Sequence, residues 1–259
     1  MVGNVMSHKH TIFNLLRATV VLGLTTLAMI QLGCTNFNDV PPVTTLENPG
    51  RSRTLGDYPV AGKVLAVQVC AACHGVNGYS NSPIIPNLAG QQKDYLVNQL
   101  QGYRDHSRSD KNGVLFMWGM ARNLSDTQIQ ELANYFSSLP ANRVNTKYAN
   151  DSRLARGKTI FEKGVPEAGV IQCNSCHGAD GRGMATFPQI AGQHPDYILQ
   201  QLNVWMHPDE KKFMEIGGNT WAPRTVTFAR PLGVLMLNNV KNLSQEDADA
   251  VAVYLSTLQ

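Results

Sequence analysis

The sequence predicts an all-α chain in which one helical unit occurs twice. Strand signals are weak, and the strongest β-leaning stretch, Thr225 to Phe228, is short. Apolar residues instead recur at spacings of three and four, and the motifs of the first half return in the second.

The chain opens with His8, Lys9, His10 and Arg17 ahead of an uncharged apolar run from Ala18 to Ile30, the pattern of an export signal. Thirteen residues are too few to span a bilayer comfortably. The run ends at Gln31-Leu32-Gly33-Cys34, which resembles a bacterial lipoprotein cleavage site, although Gln31 stands where an aliphatic residue is usual. Ordinary signal-peptidase cleavage nearby, or an uncleaved anchor, is the rival reading. Residues 1–34 are therefore expected to be a signal peptide of the lipoprotein type, with Cys34 lipidated. Residues 35–57, holding Pro41, Pro42, Pro49 and Gly50, read as a flexible tether.

The repeat organises the rest. Cys70-Ala71-Ala72-Cys73-His74-Gly75 answers to Cys173-Asn174-Ser175-Cys176-His177-Gly178 at an offset of 103, and Pro86-Asn87-Leu88-Ala89-Gly90-Gln91 to Pro188-Gln189-Ile190-Ala191-Gly192-Gln193 at 102. The stretches from Asp94-Tyr95-Leu96 to Leu100 and from Asp196-Tyr197-Ile198 to Leu202 keep that register. Leu124-Ser125 then pairs with Leu243-Ser244 at 119, so the second copy carries about 17 more residues, within segment 206–235. Both copies close with one helix, its apolar stripe being Ile129, Leu132, Phe136 and Leu139 in the first and Ala248, Val251, Leu255 and Leu258 in the second. Ser125 with Gln128 forms a capping box, and Ser244 with Asp247 is a near copy. The expected domains are 58–141 and 153–259, joined by a polar linker at 142–152.

Composition excludes some classes. Hydrophobic residues make up 43% and charged residues 16%, so whole-chain disorder is out. Two of the 22 basic residues, Lys9 and Arg17, precede Cys34, leaving 20 against 19 acids from there on. No basic stripe marks a nucleic-acid partner.

Chemistry is concentrated in the two C-x-x-C-H motifs. Thiols separated by two residues lie about one helical turn apart, so both can add to the vinyl groups along one edge of a haem, while the following histidine projects its imidazole toward the iron. Zinc is the rival, but zinc-ribbon pairs lie about 15–20 residues apart, whereas these lie 103 apart. Zinc also leaves His74 and His177 without a reason. A thioredoxin-type redox pair expects a βαβ setting, which the sequence lacks. Two covalently attached haem c groups are therefore expected, held by Cys70, Cys73 and His74 and by Cys173, Cys176 and His177.

A histidine-bound iron needs a sixth ligand or an open site. Methionine suits an electron carrier, because its thioether raises the potential. Met117 and Met120 are the candidates in the first copy, Met206, Met214 and Met236 in the second. Met117 lies seven residues before Leu124 and Met236 seven before Leu243, so these two are equivalent and are expected as axial ligands; Met120 has Asn239 opposite and reads as packing. His194 and His207 are lesser alternatives in the second copy. Pro86 and Pro188 follow their histidines by 12 and 11 residues, where a carbonyl can accept the imidazole N–H or the proline can simply form a turn. Tyr95 and Tyr197 are expected to pack on the haem or its neighbouring helix. Arg104, opposite Met206 in the repeat, is left outside the site.

From about Tyr58 to Gln259 the chain resembles the cytochrome c4 family of di-haem bacterial cytochromes. The likeness rests on Cys70 to Gly75, Pro86 to Gln91, Met117 before Leu124-Ser125-Asp126, and their partners in the second half. The resemblance implies two class I cytochrome c domains, His/Met ligation in both, and a periplasmic, membrane-attached carrier passing electrons from a membrane donor complex toward a terminal oxidase or reductase. No small-molecule substrate is expected. The alternatives are a cytochrome subunit of a periplasmic dehydrogenase complex, for example a sulfide-oxidising one, and a di-haem peroxidase. Segment 206–235 departs from the family's expected length.

Overall fold

A computed structural model describes residues 62–108, 110, 113–141, 146–207, 214–216, 219–221 and 233–259. The export signal, the tether, Cys34 and the stretch Thr225 to Phe228 lie outside them. In the first half the chain enters at α1 (Gly62–Leu65), continues through a π-helical stretch, Ala66–Cys70, and ends in α2 (Ala71–His74), so the haem-attachment motif sits at the end of one continuous helical run. Then come α3 (Lys93–Arg104), a π-helical stretch Gly113–Trp118, α4 (Gly119–Ala121) and α5 (Asp126–Ser138). In the second half α6 (Leu154–Lys163) is separated from α7 (Asn174–His177) by a short 3-10 turn, Pro166–Ala168, held under a Val165–Val170 bridge. The rest is α8 (Pro195–Met206), α9 (Gly233–Val240) and α10 (Gln245–Thr257).

The terminal helix organises each half. In the first, α5 packs on α1 and α3; in the second, α10 packs on α6 and α8. The periodic stripe makes this possible, since Ile129, Leu132 and Phe136 fall on one face of α5 and are buried, as Ala248, Val251 and Leu255 are on α10. Around them lie two separate cores, Leu65, Ala66, Leu96, Val97, Ala121 and Leu124 in the first half and Ile160, Phe161, Val165, Ile198, Leu202 and Leu243 in the second. Removing a side chain the size of Ile160 or Phe161 from water stabilises the fold by roughly 1.5–3 kcal/mol.

Both terminal helices start as their sequences predict. Ser125 Oγ accepts from Gln128 N–H at 3.2 Å and Gln128 Oε1 accepts from Ser125 N–H at 3.0 Å, a complete capping box. Ser244 Oγ accepts from Asp247 N–H at 3.1 Å, whereas the Asp247 carboxylate pairs with Arg156 of α6.

Close helix crossings rest on two glycines. A Cβ on Gly62 would lie 2.5 Å from the carbonyl carbon of Glu131, and one on Gly157 would lie 2.2 Å from Ala250 O. Glu131 and Ala250 stand 119 apart, the offset that relates the terminal helices, so the same crossing is built twice.

The segment that lengthens the second half contains a small antiparallel hairpin, β1 (Met214–Ile216) with β2 (Asn219–Trp221), in register Met214↔Trp221 and Ile216↔Asn219. This is a local addition to the helices of the described residues, placed before the stretch whose sequence looked most strand-like. Its signal is Gly217-Gly218 between two short runs, a pair suited to a two-residue hairpin turn. No helix among the described residues is long and apolar enough to cross a membrane.

Candidate haem sites and the contact between the halves

Each C-x-x-C-H motif ends its helix at a glycine that only glycine can supply. Gly75 has φ +76° and Gly178 φ +83°, both in the region L side chains rarely adopt. A Cβ on Gly75 would lie 2.1 Å from Tyr79 O. The chain thus turns sharply after His74 and His177, and both imidazoles lie buried.

What fixes each ring is a carbonyl. His74 Nδ1 lies 2.8 Å from Pro86 O and His177 Nδ1 lies 2.9 Å from Pro188 O. A carbonyl only accepts, so the proton is on Nδ1 in both rings and Nε2 keeps its lone pair. Burial lowers the pKa of both histidines below the ordinary value, against a smaller opposing effect of the proline carbonyls, so the rings are neutral. Both prolines therefore act as acceptors and not only as turn residues.

Matched backbone bonds hold these proline loops in place. Leu88 and Ala89 N–H donate to Gly78 O, as Ile190 and Ala191 N–H donate to Gly181 O. Gly90 N–H reaches Phe136 O and Gly192 N–H reaches Leu255 O, both at 2.9 Å, tying each loop to the end of its terminal helix. Ser80, fully buried, adds a further tie in the first half, donating its N–H to Asn87 Oδ1 and its hydroxyl to Cys73 O, both at 3.0 Å.

Among the described residues the four motif cysteines form no disulfide. Cys70 and Cys173 pack partly buried against their respective cores, and burial pushes both thiols up to about 11. Cys73 is exposed and Cys176 half-buried. The four do not gather: among the described residues no three His, Cys, Asp or Glu side chains converge on a metal-sized site. That spread gives the tetrathiolate zinc reading no support.

Met117 lies in the π-helical stretch before α4 and packs against the first core; Met236 lies in α9 and packs against the second. Each follows two exposed apolar residues, Leu115 and Phe116 in one half and Val234 and Leu235 in the other. Met120 is exposed, and Met206 is buried in the second core beside Leu202. His194 Nε2 donates to Ser80 O at 3.0 Å across the boundary between the halves, and His207 is an exposed residue at the end of α8. Arg104 is occupied with Leu124 O and Asp126 at the start of α5. Tyr197 takes a long contact from Arg108 Nη2, at 3.4 Å. Phe187 stands edge-on to the His177 ring, with centroids 6.4 Å apart.

In each half the donor set suits a covalently attached haem: two thiols on one turn, a neutral imidazole whose Nδ1 is engaged and whose Nε2 is not, and a thioether on the same core.

Sequence reasoning missed the residues that join the halves. Asn87 N–H donates to Gln193 Oε1 at 2.8 Å and Asn87 O accepts from Gln193 Nε2 at 3.0 Å. Gln189 N–H donates to Gln91 Oε1 at 2.7 Å and Gln189 O accepts from Gln91 Nε2 at 2.9 Å. Arg108 is buried between Gln99 and Gln201. Gln91 and Gln193 stand in the matched hexapeptides, yet a matched polar residue does not reveal that it reaches into the other copy. Arg108 falls where the repeat register is already lost.

The cytochrome c family matches residues 59–140 and 154–259. Cytochrome c-552 of Acidithiobacillus ferridurans is 36% identical over 192 residues, 73% of either chain. The solved cytochrome c4 of Acidithiobacillus ferrooxidans is 36% identical with a TM-score of 0.60, covering 73% of this chain and 98% of its own. A thiosulfate dehydrogenase electron acceptor of Thiomonas intermedia is 36% identical over 138 residues, 52% of this chain and 62% of its own. The chain belongs to the cytochrome c family and is a di-haem electron carrier of its cytochrome c4 group.

Proposed function

We propose that this protein shuttles electrons in the bacterial periplasm, from a membrane donor complex toward a terminal oxidase or reductase. The first site consists of Cys70, Cys73, His74 and Met117 in domain 58–141; the second consists of Cys173, Cys176, His177 and Met236 in domain 153–259. The carrying observation is that one donor set, with one proline carbonyl behind each histidine, recurs in two helical cores.

When bound, each haem iron takes up and gives back one electron. The chain's own residues would hold and orient the group: the cysteines would anchor it, Pro86 and Pro188 fix the imidazole tautomers, and Met117 and Met236 would supply a thioether ligand in place of a substrate site. Residues 1–34 export the chain, Cys34 carries a lipid that holds it at the membrane, residues 35–57 give it reach, and 142–152 link the domains. A lipid on Cys34 with a tether of this composition suits a carrier that moves between membrane complexes.

A redox titration of the purified holoprotein, followed by visible spectroscopy, tests the reading. Two one-electron centres, two haems per chain and negligible carbon monoxide binding to the reduced protein are expected. Ready carbon monoxide binding at either centre would overturn it.

The second reading is a cytochrome that accepts electrons from one dedicated periplasmic dehydrogenase. It is favoured by the likeness to the Thiomonas intermedia electron acceptor. Recovery of a stoichiometric dehydrogenase with the native protein distinguishes it from the general shuttle.

A further inference from the structure

One peptide group in each half serves two partners at once. In the first half the Pro86–Asn87 peptide accepts His74 Nδ1–H on its carbonyl, 2.8 Å, and donates its own N–H to Gln193 of the second half, also 2.8 Å. In the second half the Pro188–Gln189 peptide accepts His177 Nδ1–H, 2.9 Å, and donates its N–H to Gln91 of the first half, 2.7 Å. Gln91 and Gln193 are each only 7% exposed, and each carboxamide takes hold of its target residue twice, through Oε1 and Nε2. Each Oε1 also accepts the N–H of the next residue in its own chain, Gln92 at 2.8 Å and His194 at 3.0 Å. Both glutamines are therefore held before they reach across.

We propose that Gln193 is a positioning residue for His74 and Gln91 a positioning residue for His177, so that each half sets the electron affinity of the other half's haem. This rests on the reading of His74 and His177 as iron ligands.

The physical link is the conjugation of the peptide group. A peptide whose N–H donates carries more negative charge on its own carbonyl oxygen, because hydrogen bonds in a chain polarise one another. That oxygen then draws the Nδ1 proton more strongly and makes Nε2 a better donor. A more basic axial nitrogen favours the oxidised iron and lowers the potential. Gln193 thereby lowers the potential of the first haem, which it does not bind, and Gln91 lowers that of the second. A glutamine that served only to hold the halves together would affect both sites alike.

The test uses full-length holoprotein carrying Gln193→Met or Gln91→Met, which keep side-chain bulk and remove both hydrogen bonds to the other half together with the one to the next residue. Haem content per chain is measured first, then the potential of each haem by a redox titration followed by NMR, together with the His74 and His177 Nδ1–H resonances. Gln193→Met is expected to raise the potential of the first haem and move the His74 Nδ1–H signal, leaving the second haem at its parental value; Gln91→Met is expected to do the reverse. Equal shifts at both haems, or a shift confined to the half that carries the substitution, would overturn the proposal. Gln193→Glu keeps an acceptor in place and adds charge, so the first haem is expected to fall further than the second; an equal fall, or none, also counts against it. If the parent protein holds fewer than two haems, or its histidine resonances lack contact with iron, the reading of the ligands fails and not the coupling alone.

Discussion

Arg108 holds Gln99 of its own half, Nη1 to Oε1 2.7 Å, and Gln201 of the other half, Nη2 to Oε1 3.0 Å. These glutamines are repeat equivalents 102 residues apart, so one guanidinium is received by the same side chain from both copies. Its charge is balanced by Asp110, Nε to Oδ1 2.9 Å, with side-chain exposures of 4% and 6%. The ring of Tyr103 lies beneath it, 4.4 Å from centroid to Cζ.

Replacing Arg108 with Met leaves a buried carboxylate without its main partner. Breaking a buried ion pair from one side costs about 3–5 kcal/mol. The expected result is a loss of that order in urea unfolding, together with easier separation of the halves. Arg108→Lys keeps the charge but not the planar fork, so it cannot hold Gln99, Gln201 and Asp110 at once and falls between the two. A loss below about 1 kcal/mol for the Met variant would show that desolvation of the pair already offsets its attraction.

Gly157→Ala sets two opposing effects against each other. Alanine favours helix over glycine by about 1 kcal/mol. The new methyl would however meet Ala250 O at 2.2 Å and Tyr254 Cβ at 2.6 Å, on a helix backbone that cannot yield without moving. Overpacking of that kind costs about 1–3 kcal/mol, so destabilisation wins. Gly119→Ala, with nothing within 4 Å of the new atom, is the control and is expected to be neutral or mildly stabilising. Thermal unfolding of the two variants beside the parent checks the sign.

Much of this fold was legible because two kinds of pattern agree. The stripes on α5 and α10 and their serine caps needed only local chemistry, and the repeat doubled every local signal. It also separated Met117 from Met120, since only the former has a methionine at the equivalent position. What stayed hidden depends on a second surface. Gly62 and Gly157 look like ordinary helix-weakening residues until Glu131 and Ala250 are placed against them. They sit eight and sixteen residues before their motifs, so the repeat register does not align them. Arg108 and Gln193 carry no local signal of burial, because the boundary they fill does not exist until the two copies meet.

Acid sensitivity follows from two carboxylates of the second half. Hydrogen bonds from the Arg153 guanidinium and backbone hold Asp151 down to about 2, and those from Arg156 hold Asp247 below the ordinary carboxylate range. In the unfolded chain both titrate near about 3.9. A folded pKa below the unfolded one means that the stabilisation is complete above the unfolded value and is lost as pH falls through the folded value. The double variant Asp151→Asn, Asp247→Asn is therefore expected to be less stable than the parent near neutral pH, with the gap closing between about pH 4 and pH 2. Urea midpoints measured across that range decide it, and a gap that persists unchanged at the acid end contradicts the assignment.

The assignment of the thioether ligands makes a prediction that discriminates among four methionines. Met117→Ala and Met236→Ala each remove a thioether from one core while leaving the thiols and the proline-held imidazole in place. A cavity of that size in the core costs about 2–5 kcal/mol, so folding is checked first by far-ultraviolet circular dichroism. Each reduced variant is then expected to bind about one carbon monoxide per chain, against none for the parent, because a vacated sixth position is open to a small ligand. The potential of the altered centre falls with loss of the sulfur ligand, and that of the other centre stays within the shift the contact between the halves transmits. Met120→Ala, at an exposed position, and Met206→Ala, in the second core, should bind none. Carbon monoxide uptake by Met206→Ala and not by Met236→Ala would move the second ligand from α9 to α8, and with it the face of the second haem that a partner protein meets.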